Sequence, residues 1–181
     1  MRPIDLSVLQ EAAHEICGVL RAMTEMEVGA KIRIMTTPEE KLDPELQGKG
    51  HGEYHGFGKY RFDKEFLATI KALNDTDLSK IQAELVIVNR DLSDEIHHHK
   101  IADAYVTALG EAEHFQHAHN AEGFCGWDED ASWEPFKTGQ ALVIPKGMPH
   151  GFRVHDGGIL YFLSVQSPPI SGEGYDDYHH R

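Results

Sequence analysis

The feature that most constrains the fold of this chain is a change in its hydrophobic pattern after residue 81. Before that point, apolar residues recur at spacings of three and four. Beyond it, they form short runs rich in β-branched and aromatic residues, separated by turn residues. The runs cover residues 85–88, 104–109, 114–119, 133–136, 141–144, 151–154 and 159–165. Short strands of this kind are typical of a sandwich or a jelly-roll barrel, so the sequence predicts a mainly β domain over residues 81–170.

Residues 1–80 are predicted to form a helical and loop extension that packs on the barrel. A helix is indicated over residues 5–27, because apolar side chains in this segment share one helical stripe. The stripe consists of Leu9, Ala13, Ile16, Leu20 and Met23. This amphipathic surface must be buried against another part of the protein or against a second copy of it.

Shorter elements are expected on either side of the barrel. A second helix is predicted from Lys64 to about Leu73, with Asp63 as its N-cap. Residues 36–59 are rich in Pro, Gly and charge and are interpreted as a long loop. Residues 171–181 are interpreted as a C-terminal tail.

The composition argues against several classes of partner and location. The formal net charge is −13, from 30 acidic residues against 17 Lys and Arg, and this field repels nucleic acids and anionic membranes. No apolar run is long enough to span a membrane, and Asp5 and Gln10 lie where a signal peptide would be apolar. Cys17 and Cys125 are far apart and lack a CxxC spacing, which favours two reduced thiols. We therefore expect a cytoplasmic protein with no membrane and no nucleic-acid partner.

Three consecutive histidines are the most informative residues in the chain. In an extended strand, alternate side chains share a face, so His97, His99 and Asp103 are expected on one face and His98 on the other. Imidazole nitrogens and one carboxylate suit iron, manganese, nickel, zinc or copper better than calcium. A polar surface run is the alternative interpretation.

A second segment favours the metal site over the surface run. Gly139 begins an apolar strand, Pro145 and Gly147 turn the chain, and His150 opens the return strand. A hairpin of this shape can bring His150 opposite the first group of ligands and leave coordination positions open for a substrate. The two patterns are independent, and both fit one barrel.

Other histidines receive less specific interpretations. His114, His117 and His119 lie on a predicted strand without a supporting carboxylate, which favours a solvated or pocket-lining strand over a second metal site. His179 and His180 are expected in a disordered polar tail. Cys125 and the acidic residues that follow it are interpreted as a surface loop, with a lid over the pocket as the alternative.

Taken together, the two segments resemble the paired motifs of the cupin superfamily, GxxxxxHxHxxx(x)E followed by Gly, and GxxxxxPxGxxHxxxN. The matching residues are His97, His99, Asp103 and Gly110 in the first motif, and Gly139, Pro145, Gly147 and His150 in the second. Asp91, Asp103 and Val154 depart from the usual Gly, Glu and Asn. The resemblance covers residues 85–166 and implies a cupin-type jelly-roll β-barrel with an N-terminal α-helical extension.

The resemblance also implies that His97, His99, Asp103 and His150 bind one divalent transition metal ion, with iron or manganese favoured. Because Asp is one methylene shorter than Glu, Asp103 either ligates after a small backbone shift, which we expect, or withdraws and leaves a three-histidine site. Alternation along the strands predicts that Tyr105, Phe152 and Val154 face the cavity and that Arg153 faces outward. Tyr105 is thus a candidate catalytic proton donor or substrate anchor, with a core tyrosine as the alternative.

The family hosts several reactions, so the resemblance implies a site and not one activity. We expect a metal-dependent enzyme acting on a small organic acid, enol or phenol, with a dioxygenase favoured because of the three histidines and one carboxylate. A redox-neutral isomerase, lyase or cyclase is the runner-up, and a non-catalytic metal or small-molecule binding module is the alternative from another class. A homodimer is also expected, since cupin barrels commonly pair through their sheets.

Overall fold

The computed structural model describes residues 4–22, 52–54, 59–88, 94–109, 123–127, 133–154, 158–172 and 175–180. Its helices are α1 (Leu6–Ala22) and α2 (Lys64–Leu67), with short 3-10 turns at Lys71–Leu73 and Leu78–Lys80. Its strands up to residue 108 are β1 (Gly52–Tyr54), β2 (Lys59–Phe62), β3 (Gln82–Val88), β4 (Asp94–His98) and β5 (Asp103–Ala108). The later strands are β6 (Gly123–Gly126), β7 (Glu134–Pro135), β8 (Ala141–Ile144), β9 (His150–Val154), β10 (Leu160–Ser167), β11 (Ser171–Gly172), β12 (Tyr175–Asp176) and β13 (His179–His180).

Two antiparallel sheets form the body of the protein. One has the strand order β1-β2-β3-β10-β5-β8 and the other β13-β4-β9-β6-β7. From β3 to β10 the chain alternates between the sheets, apart from the hairpin of β6 and β7. Without β1, β2 and β13, four strands of each sheet remain, β3-β10-β5-β8 and β4-β9-β6-β7, and these eight strands form a jelly roll. The predicted jelly-roll fold with an N-terminal helix is therefore confirmed.

Helix α1 covers the outer face of the first sheet, where it contacts β5 and β10. The Asp5 side chain accepts the backbone N–H of Ser7 at 2.9 Å and caps the start of the helix. The predicted stripe residues Leu9, Ala13, Ile16 and Leu20 are fully buried, while Met23 lies outside the described residues. The amphipathic helix thus buries its apolar face within its own chain.

The second predicted helix is shorter than expected. Asp63 accepts the backbone N–H of Phe66 at 2.7 Å, as predicted, but α2 ends at Leu67. A 3-10 turn follows, in which the backbone N–H groups of Lys71 and Ala72 both donate to the Glu15 carboxylate at 2.8 Å. A carboxylate from α1 therefore satisfies amides at the start of the turn.

Several elements differ from the sequence expectations. Strands β1 and β2 occupy part of the segment interpreted as a loop, and the strand predicted over 114–119 lies outside the described residues. Cys125 was expected in a surface loop, but it is buried on β6, which pairs with β9. The expected disorder of His179 and His180 is wrong, because these residues form β13 and pair with His98 and His97 of β4.

Two apolar cores lie on opposite sides of the first sheet. One fills the space between α1, α2 and the sheet, and the other fills the barrel between the two sheets. Strands β3 and β10 are buried at every residue, because they contribute to both cores. Cys17 is buried in the core on the helix side, and Cys125 is buried in the barrel core. None of the helices in the described part of the chain is both long and apolar enough to cross a membrane.

Candidate metal centre

His97, His99 and His150 converge at one end of the barrel interior. His97 of β4 pairs directly with His150 of β9, and His99 follows the end of β4. One ring nitrogen of each residue lies within 4.8 Å of those of the other two, and all three side chains are buried. Two segments that are remote in sequence therefore meet at one point inside the barrel.

A backbone carbonyl fixes the tautomer of each ring. Nδ1 of His97 lies 2.7 Å from the carbonyl oxygen of Glu95, and Nδ1 of His150 lies 2.9 Å from that of Met148. Nδ1 of His99 lies 2.7 Å from the carbonyl oxygen of Asp177. Because a carbonyl oxygen can only accept, each neutral ring carries its proton on Nδ1 and its lone pair on Nε2. Orientation of ligating histidines through the second nitrogen is the usual arrangement around protein-bound metals.

This donor set fits a divalent transition metal ion. Nitrogen ligands lie about 2.0–2.1 Å from such an ion, so two of them are at most about 4 Å apart. Small side-chain movements would bring the three nitrogens from their present separations, within 4.8 Å, to that range. Three imidazoles leave further coordination positions open, which distinguishes reactive sites from closed structural ones.

The turn before β9 ties the two histidine segments together. Gly147 adopts a φ of +83°, a conformation that favours glycine. Its backbone N–H donates to the carbonyl oxygen of His99 at 2.6 Å. The residue that follows β4 is thus hydrogen-bonded to the turn that places His150.

Asp103 does not join the histidines, contrary to expectation. It begins β5 in the opposite sheet, where it pairs with Ser167, and its carboxylate accepts the backbone N–H of Lys146 at 2.9 Å. The alternation that predicted a shared face holds only along a continuous strand. The chain bends between His99 and Asp103, so the described residues bring together a three-histidine group without this carboxylate.

Tyr105 does not face the cavity either. Along β5, Ala104 and Val106 line the cavity, whereas Tyr105 packs against the core between the sheet and the helices. Because of the bend that displaces Asp103, the even-numbered residues of β5 face the cavity, and the odd-numbered residues face away from it. The catalytic role predicted for Tyr105 therefore has no basis in its position.

The alternation predicted for β9 agrees with the structure at Phe152 and Arg153, whereas Val154 is not among the residues that line the cavity. Phe152 lines the cavity, and Val154 packs against the barrel core. Arg153 is exposed, with its guanidinium carbon 4.3 Å from the centre of the Trp133 ring. Parity counted from His150 is correct because β9 runs without a break through these residues.

Residues 177–179 support the histidine cluster from outside, although the sequence predicted only a C-terminal tail here. The buried Asp177 carboxylate accepts three successive backbone N–H groups, from Lys100 at 2.8 Å, Ile101 at 3.0 Å and Ala102 at 3.1 Å. Tyr178 stacks on His97 with 3.8 Å between ring centres and 16° between ring planes. Asp177 thus fixes the bend after His99 through its carboxylate and the His99 ring through its carbonyl.

The pKa of Asp177 reflects competing effects. Burial raises the pKa, but the hydrogen bonds from Ile101, Lys100, Ala102 and His179 together lower it below the ordinary value of 3.8. His179 contributes through its Nε2, which lies 3.2 Å from Oδ1 of Asp177. The ionised form of Asp177 is therefore the form that holds the bend.

The wall facing the histidines is unexpectedly polar. Glu84 of β3 and Ser164 and Gln166 of β10 are buried and line the same cavity as the histidines. Arg61 and Gln82 donate to Oε1 of Glu84 at 3.0 and 2.8 Å. The sequence did carry a signal for this wall, since polar residues alternate with apolar ones in two strands that are otherwise apolar.

The cavity between the histidines and this wall is small, about 20 Å³. That volume holds one or two water molecules or a group of similar size. Val86, Phe152 and Phe162 close its inner end, and Lys59 also lines it. Any ligand bound to the ion can therefore extend only a few atoms into the barrel.

Several residues named in the sequence analysis belong to parts of the chain outside the described ranges. Gly110 and Asp91 of the first motif, and the histidines at 114, 117 and 119, lie outside the described residues.

Gly139 lies in a turn with a φ of +81° before β8, where its backbone N–H donates to the carbonyl oxygen of Ala108 at 3.1 Å. The second motif is thus described over its whole length.

No protein-family model and no curated protein matches this sequence. Similar solved structures include a polyketide cyclase, RemF, from Streptomyces resistomycificus, with 18% identity, a TM-score of 0.43, and coverage of 62% of this chain and 66% of that one. A sugar phosphate isomerase of the cupin superfamily from Silicibacter pomeroyi has 16% identity and a TM-score of 0.42, with 62% and 61% covered. An uncharacterised double-stranded β-helix protein from Klebsiella pneumoniae has 15% identity and a TM-score of 0.42, with 52% and 72% covered. These similarities concern the fold and carry no inference about activity.

Proposed function

We propose that this chain is a metal-dependent enzyme that acts on a small organic acid, enol or phenol, and that His97, His99 and His150 bind one divalent transition metal ion. The convergence of three buried, tautomerically fixed imidazoles beside a cavity with polar walls carries this proposal. A closed structural site would need no such cavity. Substrate oxygens would occupy the open coordination positions.

When bound, such an ion supplies a Lewis acid that polarises oxygen groups of the substrate. The residues of the chain orient the ligands, limit the access of water and accept a proton. The Glu95, Met148 and Asp177 carbonyls hold the rings in place, and Phe152 and Phe162 limit the access of water from the inner end of the cavity. Glu84 provides a carboxylate on the opposite wall that can accept a proton from a bound substrate.

The position of Glu84 favours a redox-neutral reaction, such as isomerisation, elimination or cyclisation. These reactions need a base near the polarised carbon, and a carboxylate on the cavity wall can serve as one. The preference for a dioxygenase depended on Asp103 as a fourth ligand, and that carboxylate accepts a hydrogen bond from the Lys146 amide instead. Turnover that continues unchanged under strict anaerobiosis would support the redox-neutral reaction, and turnover that stops would support a dioxygenase.

Metal analysis tests the site itself. Protein purified without added metal should contain about one transition ion per chain, among iron, manganese, nickel, zinc or copper, and His150→Ala should lose it. His98→Ala is the matched control, because His98 is a neighbouring histidine outside the converging group. Wild-type protein without a stoichiometric ion, or His150→Ala protein that keeps it fully, would refute the proposal.

We also propose that the protein is a homodimer. The helix stripe gives no support, since α1 buries it within the chain. Support comes from β8, which lies at the edge of the first sheet and exposes 45% of Val143. An edge strand with an exposed apolar side chain is suited to pairing with a second copy. Light scattering should give twice the chain mass for the wild type and the chain mass for Val143→Lys.

A further inference from the structure

Two glutamines occupy equivalent places on the inner face of the barrel but differ in their hydrogen bonding. Gln82 of β3 and Gln166 of β10 are directly opposite each other in the sheet, and both are buried. The Gln82 side-chain oxygen accepts the backbone N–H of Ile170 at 3.1 Å, and its nitrogen donates to Glu84 at 2.8 Å. The protein thus uses both ends of the Gln82 amide.

Only one end of the Gln166 amide is used in this way. Its Nε2 donates to the Ser164 hydroxyl oxygen at 2.6 Å, while Oε1 is buried and has no hydrogen-bond partner among the described residues. Gln166 lines the cavity that contains the three histidines, whereas Gln82 does not. A buried acceptor without a partner is costly, and in native proteins it calls for an explanation such as a functional role or a bound water or ion.

The neighbouring hydroxyl narrows the chemistry of the missing partner. Ser164 Oγ accepts from Gln166, which leaves its own proton directed elsewhere, and Ser164 also lines the cavity. The wall therefore presents an acceptor from Gln166 beside a donor from Ser164. An alcohol hydroxyl matches this pair, because it donates one hydrogen bond and accepts another, whereas a carboxylate can only accept and would be repelled by Oε1.

We propose that Gln166 and Ser164 form a subsite for an alcohol hydroxyl group of the substrate, next to the metal centre. The substrate class is then a hydroxy acid that chelates the ion through oxygen at one end and places a further hydroxyl against β10. The cavity of about 20 Å³ suits a hydroxymethyl group. This subsite deepens the proposed function and depends on the metal site assigned there.

A pair of matched ligands tests the subsite. Glycerate and lactate share a carboxylate and a 2-hydroxyl for chelation, but only glycerate carries a terminal hydroxyl. Titration calorimetry on protein loaded with Co²⁺ should show that glycerate binds about tenfold more tightly than lactate. The visible spectrum of the cobalt ion should respond to both ligands, because both chelate it.

Substitutions then test whether Gln166 is the residue that causes the preference for glycerate over lactate. Gln166→Met keeps the side-chain volume but removes the acceptor, so it should bind glycerate and lactate equally while keeping the lactate affinity of the wild type. Gln82→Met is the matched control on the opposite strand and should keep the tenfold preference. If Gln82→Met does not fold, the lactate affinity of Gln166→Met still controls for general damage to the site.

The outcomes separate the two proposals. Equal binding of both ligands by the wild type, or a preference that survives in Gln166→Met, would refute the subsite and leave the metal centre intact. Failure to take up cobalt, or a cobalt spectrum that responds to neither ligand, would refute the proposed function. A preference lost only in Gln166→Met supports the subsite.

Discussion

The two faces of β3 and β10 differ in polarity, although both are buried. The face toward α1 is apolar except for Ser167 at the end of β10, whose hydroxyl oxygen accepts the backbone N–H of Ile4 at 2.7 Å. Its apolar residues are Ala83, Leu85, Ile87, Tyr161, Leu163 and Val165. The face toward the barrel interior is apolar at one end, with Val86, Val88, Leu160 and Phe162, and polar at the other, with Gln82, Glu84, Ser164 and Gln166. The polar end is the end that faces the histidines.

This contrast separates residues that hold the fold together from residues that serve the site. Burying polar groups costs free energy unless each is hydrogen-bonded, so folding alone favours the composition of the helix side. The polar end of the barrel side needs another explanation, and its proximity to the candidate metal centre provides one. The two faces should therefore respond differently to substitution in stability and in ligand binding.

The largest expected effect is on the helix side. Leu163 is fully buried between the sheet and α1, so Leu163→Ala should lower the free energy of unfolding by about 2–5 kcal/mol. Metal stoichiometry of the folded fraction should stay unchanged. Urea unfolding and metal analysis of the same preparation measure both, and a loss of metal without a loss of stability would contradict the division between the faces.

An intermediate effect is expected for the glutamine whose amide is fully used. Gln82→Met removes the acceptor for the Ile170 amide and the donor to Glu84, so it should destabilise the protein by about 1–3 kcal/mol. Denaturant unfolding of the metal-free protein measures the change. An unchanged unfolding midpoint would show that this end of the barrel tolerates the loss of buried hydrogen bonds.

A smaller, pH-dependent effect is expected outside the barrel wall. Because hydrogen bonds lower the pKa of folded Asp177 below 3.8, its carboxylate stabilises the fold above that pH, and this contribution disappears as the pH falls through the folded pKa. Asp177→Asn should cost about 1 kcal/mol at pH 7 and should flatten the loss of stability below about pH 4. Unfolding of metal-free protein across this range is the measurement, and parallel curves for the two proteins would contradict the assignment.

The smallest effect, and one of opposite sign, is expected for Gln166. Gln166→Met removes a buried oxygen that has no partner among the described residues, at the loss of one hydrogen bond to Ser164. The two changes nearly cancel, so the variant should be as stable as the wild type or more stable by up to about 1 kcal/mol. Destabilisation as large as that of Gln82→Met would mean that Oε1 has a structural partner.

The sequence predicted those parts of the site that depend on local patterns, namely the alternation of side chains along a strand and the spacing of residues within a motif. Alternation along continuous strands correctly separated Phe152 from Arg153, and the two motif segments pointed to the three histidines that converge. It failed at Asp103 and Tyr105 because parity was counted across a bend. That bend is fixed by Asp177, a residue about 75 positions further along the chain, and such a contact leaves no local pattern.

The polar wall was missed for a related reason. Gln166 and Ser164 are visible as polar residues in the last long strand, but the sequence does not indicate that this strand lies beside β3 and β5 and opposite the histidines. Which strands become neighbours in a jelly roll is set by long-range pairing. Only that arrangement places these polar residues opposite the histidines and so identifies them as part of the site.

The hydrogen bond from the Gly147 amide to the His99 carbonyl has a consequence for the choice of ion. Together with the direct pairing of His97 and His150, this hydrogen bond means that backbone contacts set the spacing of the three imidazoles. A stiff frame of this kind binds best the ion whose radius and geometry match it, even when a competitor such as copper has the higher intrinsic affinity for nitrogen donors. Loosening the turn at Gly147 would shift the balance toward that competitor.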